Sequence, residues 1–208
     1  MHGNLVELLH IHQPHRQLEV CAESVVTCSR KNLPQVIPVE IDSSLEDWQR
    51  SCASQWQLAE FLLPSPHTQP LAELQAWAST WLAPRRSVFQ ALRDLTQAIH
   101  QNFAYAPGST HINTPLSTVF TQRSGVCQDF AHLMLSALRS AGIPARYVSG
   151  YLETLPPPGQ ERLVGADASH AWVAAYLPAY GWIDYDPTNN CIVGQAHITV
   201  AWGRDYDD

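Results

Sequence analysis

The spacing of apolar positions along the chain first changes character near residue 56. Before it, residues 5–12 and 17–28 alternate apolar and polar side chains with the period of a strand, and Gln13-Pro14-His15-Arg16 supplies a turn between them. Residues 35–41 form a third extended piece. Pro34 and Pro38 remove N–H donors there, so it reads as an edge strand. After it the period lengthens to that of a helix. A short helix is predicted over 56–62 and is ended by Pro64-Ser65-Pro66. Leu71, Leu74, Ala78, Trp81 and Leu82 then share one helical face. Pro84 stands at a favoured first-turn position for the next helix, whose stripe is Val88, Leu92, Leu95, Ile99 and Phe103. Pro107-Gly108 closes that unit, and residues 108–121 read as a loop. The clearest helix starts near Ser124 and carries Val126, Phe130, Leu133, Met134, Ala137, Leu138 and Ala141 before Gly142 and Pro144 stop it. Strands are predicted over 146–152, 168–177 and 182–186. The last two form an antiparallel hairpin about Pro178-Ala179-Tyr180-Gly181, and Pro156-Pro157-Pro158-Gly159 marks an exposed loop before them. The expected class is α+β.

Composition narrows the function. The chain has 208 residues, 45% hydrophobic and 15% charged, with a formal net charge of -7 and its 12 basic residues scattered. No basic stripe for nucleic acid is present. No apolar run reaches bilayer length, and Met1-His2-Gly3-Asn4 does not open a secretory signal, so no membrane partner and a cytoplasmic location are expected. The five cysteines (Cys21, Cys28, Cys52, Cys127 and Cys191) are odd in number and lack a C-x-x-C pair, which argues against a disulfide framework or a structural zinc site. His10 and His12 share a strand face, with His15 nearby. Without a cysteine or acidic partner they make a weak metal site, and neither metal nor cofactor is expected.

One thiol has a reason to react. Cys127 lies in the first turn of its helix, where unpaired N–H groups and the helix dipole favour a thiolate. Polar neighbours, Arg123-Ser124-Gly125 and Gln128-Asp129, set it apart from an inert core cysteine. His170 opens a strand whose hairpin partner ends in Asp186, so the two side chains can meet at one end of the sheet. A carboxylate on the second nitrogen of an imidazole orients it and stabilises the imidazolium. Asp184, two residues away, shares that strand face. Periodicity leaves both aspartates open.

The blocks Gly125-Val126-Cys127-Gln128-Asp129-Phe130-Ala131-His132, Gly142-Ile143-Pro144-Ala145-Arg146-Tyr147-Val148-Ser149-Gly150-Tyr151, Ser169-His170-Ala171-Trp172 and Gly181-Trp182 through Asp186-Pro187-Thr188 occur in this order. Together they resemble the bacterial transglutaminase-like family of predicted cysteine proteases. The resemblance runs from about Pro64 to Gly203-Arg204-Asp205-Tyr206. It implies a papain-like core with the nucleophile helix packed on an antiparallel sheet, and a Cys127, His170, Asp186 triad in which Asp184 has no part. It also implies that residues 1–42 are the remnant of a β-rich N-terminal domain and that 43–208 are a catalytic core cut short at its C-terminal end. The exposed strands of such a remnant would invite self-association.

The chemistry so implied is acyl transfer. His170 takes the Cys127 proton, and the thiolate attacks a carboxamide or peptide carbonyl in a peptide or protein substrate. The Cys127 N–H and a second donor, Gln128 or Tyr105, would meet the oxyanion. Trp172, beside His170, is a further candidate for the substrate side. Water as acceptor makes a protease, amidase or deamidase. An amine makes a transglutaminase. A binding module that keeps the fold without the chemistry is the third reading.

Overall fold

The helix that carries Cys127 lies at the centre of the molecule. In the computed structural model, residues 2–29, 44–53, 55–153, 158, 159, 161, 163, 164, 168–178 and 180–208 are described. The elements before the central helix are α1 (Leu45–Ala53), a 3-10 helix (Trp56–Leu62), α2 (Ala72–Ala78), α3 (Val88–Asn102), β1 (Ala104–Tyr105), α4 (Leu116–Gln122) and β2 (Ser124–Gly125). The central helix α5 (Cys127–Ser140) follows, then β3 (Ala145–Leu152), β4 (Ser169–Leu177), β5 (Gly181–Asp186), β6 (Cys191–Ile192) and β7 (His197–Gly203).

The sequence predicts one apolar stripe on α5, yet every residue from Asp129 to Arg139 is buried. The sheet covers one side of the helix, and α2, α3 and α4 pack against the others. Arg139 is tolerated inside because its guanidinium is fully engaged. It donates to the Ala145 carbonyl at 2.9 and 3.2 Å, to Thr68 Oγ1 at 2.7 Å, to Ser65 Oγ at 3.3 Å and to the Arg204 carbonyl. Burial lowers its proton affinity to about 10, which leaves it charged at neutral pH. One side chain thus joins the first proline break, the start of β3 and the segment after β7. The helix ends at Gly142, whose φ of 72° permits the reversal that brings the Ile143 N–H onto the Leu138 carbonyl at 2.9 Å.

The main sheet is antiparallel throughout, in the order β6-β5-β4-β3-β7, and β1 and β2 form a separate parallel pair. The α+β class and the β4–β5 hairpin agree with the sequence pattern. Several expectations are corrected. Residues 116–122 belong to the predicted loop 108–121 and its edge, but they form α4, a two-turn helix that buries Val119 and Phe120. Pro84 precedes α3 rather than opening it. The cap is Ser87, whose Oγ accepts the Gln90 N–H at 3.1 Å. Helix α2 stops at Ala78, so Trp81 and Leu82 pack from a turn. Strand β7 has no counterpart in the sequence reading. It lies so close to β3 that a Cβ on Gly150 would stand 2.0 Å from the Ile198 carbonyl oxygen, which restricts that position to glycine.

The N-terminal alternation does not produce strands. Residues 5–12 and 17–28 are in neither strand nor helix, and Leu5, Leu8 and Val25 are exposed. A strand needs a partner backbone, and this segment touches the edge strand β7 only at points. The Asn4 amide exchanges hydrogen bonds with the Trp202 backbone, at 2.7 and 3.1 Å, and the Cys28 thiol approaches the His197 carbonyl at 3.9 Å. The predicted edge strand over 35–41 lies outside the described residues. Among the described residues no helix is long and apolar enough to cross a membrane.

Candidate active site

The approach to Cys127 is fixed from both sides. Ahead of it, α4 ends at Arg123, a non-glycine residue at φ 54°. Its guanidinium lies over the rings of Phe120, Phe103 and Trp77, at 4.1, 4.8 and 5.5 Å from their centroids. The β1–β2 pairing then holds Ser124 and Gly125. After it, the Asp129 carboxylate reaches back to accept the Val126 N–H at 2.8 Å and the Thr110 hydroxyl at 2.6 Å. A Cβ on Gly125 would fall 2.7 Å from Asp129 Oδ2, so glycine is required for that closure. The first helical bond of α5 runs from Phe130 N–H to the Val126 carbonyl. The amides of Cys127, Gln128 and Asp129 therefore precede the ladder, at the positive end of the helix.

The sheet supplies the other residues. In β4, Ala171, Val173 and Ala175 face the core around α5, while Trp172 and Ala174 pack with Val148 and Val193 on the opposite face. His170 has the parity of Trp172. In β5, Asp184 and Asp186 alternate with the core residues Ile183 and Tyr185. Both aspartates thus point to one face, as the sequence predicts, but they receive different donors. Asp184 accepts the Trp172 indole N–H at 3.1 Å, and Asp186 lies 2.8 Å from His170 Nε2.

Asp186 is fully buried and fully engaged. Its Oδ1 accepts the backbone N–H groups of Thr188 and Asn189 at 2.8 and 3.1 Å. Its Oδ2 faces His170 Nε2, the Asn189 amide at 2.7 Å and His197 Nε2 at 3.0 Å. Burial alone would raise its proton affinity, but the donors outweigh it and hold the carboxyl well below the usual carboxylate range. An ionised carboxylate has no proton to give, so both imidazoles carry hydrogen on Nε2 and donate. The other nitrogen of His170, Nδ1, is buried without a hydrogen-bond partner, and Cys127 lies near enough to act on the ring's proton affinity. Burial would lower the His170 proton affinity. Asp186 and Cys127 together overcome this and raise it from an ordinary 6.5 to about 9. All five thiols are free, but burial pushes Cys52 up to about 11 and Cys191 up to about 12.

The same order of cysteine, histidine and aspartate falls inside the match to the Transglutaminase-like superfamily model, which spans residues 75–187, more than half of the chain. The chain belongs to the transglutaminase-like superfamily. An uncharacterized superfamily relative from Mycobacterium tuberculosis is 38% identical over 214 residues, covering 100% of this chain and 67% of its own. The protein-glutamine gamma-glutamyltransferase of Pseudomonas aeruginosa is 42% identical over 92 residues, 43% of this chain and 14% of that protein. Among solved structures, a candidate cysteine protease from Cytophaga hutchinsonii superposes with a TM-score of 0.62 at 33% identity, over 74% of this chain. The present chain covers 49% of that structure, so it spans about half its length.

Around this transglutaminase-like centre the remaining predicted residues are placed unequally. Tyr105, on β1, sets its ring edge-on to Phe130, and burial and the charge of Cys127 both raise its phenol. Gln128 follows Cys127 on α5 and is half-buried. Trp172 is fully buried, its N–H is engaged by Asp184, and it packs beside His170 and His197. His10 and His12 stack in solvent at 4.2 Å, and His15 meets the Gln13 carbonyl. Among the described residues, only the ligand atoms of His170, Asp186 and His197 converge, within 4.8 Å of one another. Their N···O separations of 2.8 and 3.0 Å are hydrogen-bond lengths, and the carboxylate accepts further donors from Thr188 and Asn189, so the three form a hydrogen-bonded network.

Sequence reasoning missed His197, Thr188 and Asn189. It also missed Tyr147, buried on β3, whose phenol is raised by burial and then by the charge of Cys127. Tyr147 stacks on His132, which stacks on His67. Burial lowers the His132 proton affinity to about 4. On that side of α5 is a cleft of about 450 Å³, bounded by His67, Leu71, Asn113, Leu116, Asp129 and His132.

The two shifted histidines give opposite limbs to the pH dependence of stability. His170 binds its proton more tightly folded than unfolded, so its contribution is complete below 6.5 and lost as pH rises through about 9. His132 binds its proton less tightly folded, so the fold loses stability as pH falls from 6.5 toward 4. Each limb is worth roughly 3 kcal/mol at most. Thermal melts across pH 4 to 10 should therefore peak near neutrality. A melting temperature that climbs steadily to pH 10 would contradict the His170 assignment.

Proposed function

We propose that the protein is a cysteine-dependent acyl-transfer enzyme acting on amide bonds, with water as the usual acceptor. The observation that carries this reading is the buried His170 ring, joined through Nε2 to an ionised Asp186 and interacting with Cys127 at the head of α5. In the first half-reaction the Cys127 S–H proton passes to His170 Nδ1, and sulfur forms a bond to the amide carbon. The oxyanion is met by the Cys127 N–H, with Tyr105 or Gln128 as the second donor. The C–N bond then breaks as His170 returns the proton to the leaving nitrogen, which leaves a thioester. In the second, His170 takes a proton from water, the hydroxyl adds to the thioester carbon, and the C–S bond breaks with return of the proton to sulfur.

Similarity to the candidate cysteine protease over most of the chain supports hydrolysis. The 42% identity to the Pseudomonas aeruginosa glutamyltransferase over 92 residues supports the second reading, an amine acceptor. Mass spectrometry of a glutamine peptide, incubated with and without a primary amine, separates the two. Cut or deamidated peptide in both incubations is the expected result. An amine adduct as the main product would overturn hydrolysis in favour of transfer. Absence of all three products across a panel of peptides, together with iodoacetamide labelling Cys127 no faster than the exposed Cys21, would favour the non-catalytic module.

A further inference from the structure

We propose that His197 is a positioning residue that tunes the base, by donating its Nε2–H to the same Asp186 oxygen that holds His170. The proposal rests on the triad reading above and extends it to a residue on another strand. His197 is the first residue of β7, where it pairs with Leu152 of β3. Its ring is buried, 5.3 Å from the Trp172 ring and nearly perpendicular to it, and 6.3 Å from the His170 ring.

Two features set His197 apart from an ordinary structural histidine. The first is that Asp186 does not depend on it for orientation. The Thr188 and Asn189 backbone amides hold Oδ1, and the Asn189 side chain already holds Oδ2. The second is that His197 is costly to bury. Its Nδ1 is enclosed without a partner, a penalty that an apolar residue at this position would avoid. What His197 does is share the oxygen. A carboxylate oxygen divided among three donors binds each less strongly than one divided between two. A third N–H on Oδ2 therefore weakens the grip of Asp186 on the His170 proton.

The other groups facing this network come from several elements. Cys127 approaches from α5, and Cys191 from β6, where burial and the Asp186 charge keep its thiol protonated. Asp184 is held one layer away by Trp172, the Cys28 thiol lies at the His197 carbonyl, and His100 of α3 meets the Thr188 carbonyl at 2.8 Å. Of these, Cys127 and Asp186 act on the His170 proton.

The test is the pH dependence of iodoacetamide alkylation at Cys127, read by peptide mapping of the full chain between pH 6 and 11. A thiolate beside an imidazolium and a thiolate beside a neutral imidazole react at different rates, so the wild type should show an inflection where His170 deprotonates, at about 9. His197→Leu should move this inflection upward by roughly half to one pH unit. His197→Gln keeps an N–H of similar reach and should stay within about 0.2 units of wild type. Asn189→Ala removes another donor from the same oxygen, from a loop, and should also move the inflection upward. It keeps the test available if the leucine variant does not fold. An inflection that is present in wild type but unmoved, or lowered, in a folded His197→Leu overturns the role of His197 alone, and where that variant does not fold, the same result in Asn189→Ala overturns the donor-sharing on which that role rests. A wild-type rate without any inflection overturns the triad reading, and this proposal with it.

Discussion

Cys127→Ala should abolish amide turnover, by about 10⁴-fold or more, while leaving the fold intact. The size of the loss follows from the division of labour at the site. In the proposed mechanism His170 and Asp186 move and stabilise a proton and the helix N-terminus meets the oxyanion, but carbon–nitrogen cleavage needs an atom to receive the acyl group. Without sulfur, the remaining groups can only activate water in a geometry built for a side chain. Stability should be nearly unaffected at neutral pH, because Cys127 is half-buried at the first position of α5 and alanine is a good helix former. The substitution should leave a separate mark. Cys127 helps to raise the His170 proton affinity, so its removal should draw the alkaline limb of the stability profile to lower pH. Turnover of a glutamine peptide within about tenfold of wild type would sink the nucleophile assignment.

What the sequence makes legible here is what local pattern can encode. Helix α5 is announced by its apolar positions and by Gly142 and Pro144, and the β4–β5 hairpin by its short turn. Helix α4 is hidden because it follows the turn-forming stretch 107–115 and starts after Pro115 without a side-chain cap to mark its beginning. Strand β7 is hidden for another reason: its partner, β3, is more than forty residues earlier, and nothing near His197 signals that pairing. The N-terminal segment shows the converse error. Alternation over 5–12 and 17–28 is necessary for a half-buried strand but not sufficient, because among the described residues the backbone has no continuous partner.

The site divides along the same line. Cys127 stands out by its place at a helix start and by the block around it. Asp184 and Asp186 cannot be separated by period, since a spacing of two puts both on one face. From β4 they receive different donors, Trp172 or His170, and that depends on register. Thr188 and Asn189 complete the carboxylate through a turn that the Asp186-Pro187-Thr188 block begins, whereas His197 arrives from another strand, which no local pattern reveals.

Those hidden donors make Asp186→Asn far more damaging than an isosteric exchange suggests. An asparagine has one acceptor where the carboxylate has two. The Thr188 and Asn189 amides on the Oδ1 side both require an acceptor, so the amide oxygen must sit there. The NH₂ group then occupies the Oδ2 position and meets the N–H groups of His170, His197 and the Asn189 side chain. His170 can relieve its share of this conflict only by shifting its proton from Nε2 to Nδ1. That removes the lone pair from the nitrogen that serves Cys127. We expect kcat/KM to fall by roughly 10³- to 10⁴-fold, with a stability loss of about 2–4 kcal/mol from donors left buried without acceptors. Asp184→Asn is the control: its amide oxygen can still accept the Trp172 indole N–H, so activity should stay within about threefold of wild type. Equal losses in the two variants would mean that the sheet face as a whole, rather than the carboxylate on His170, supports the chemistry.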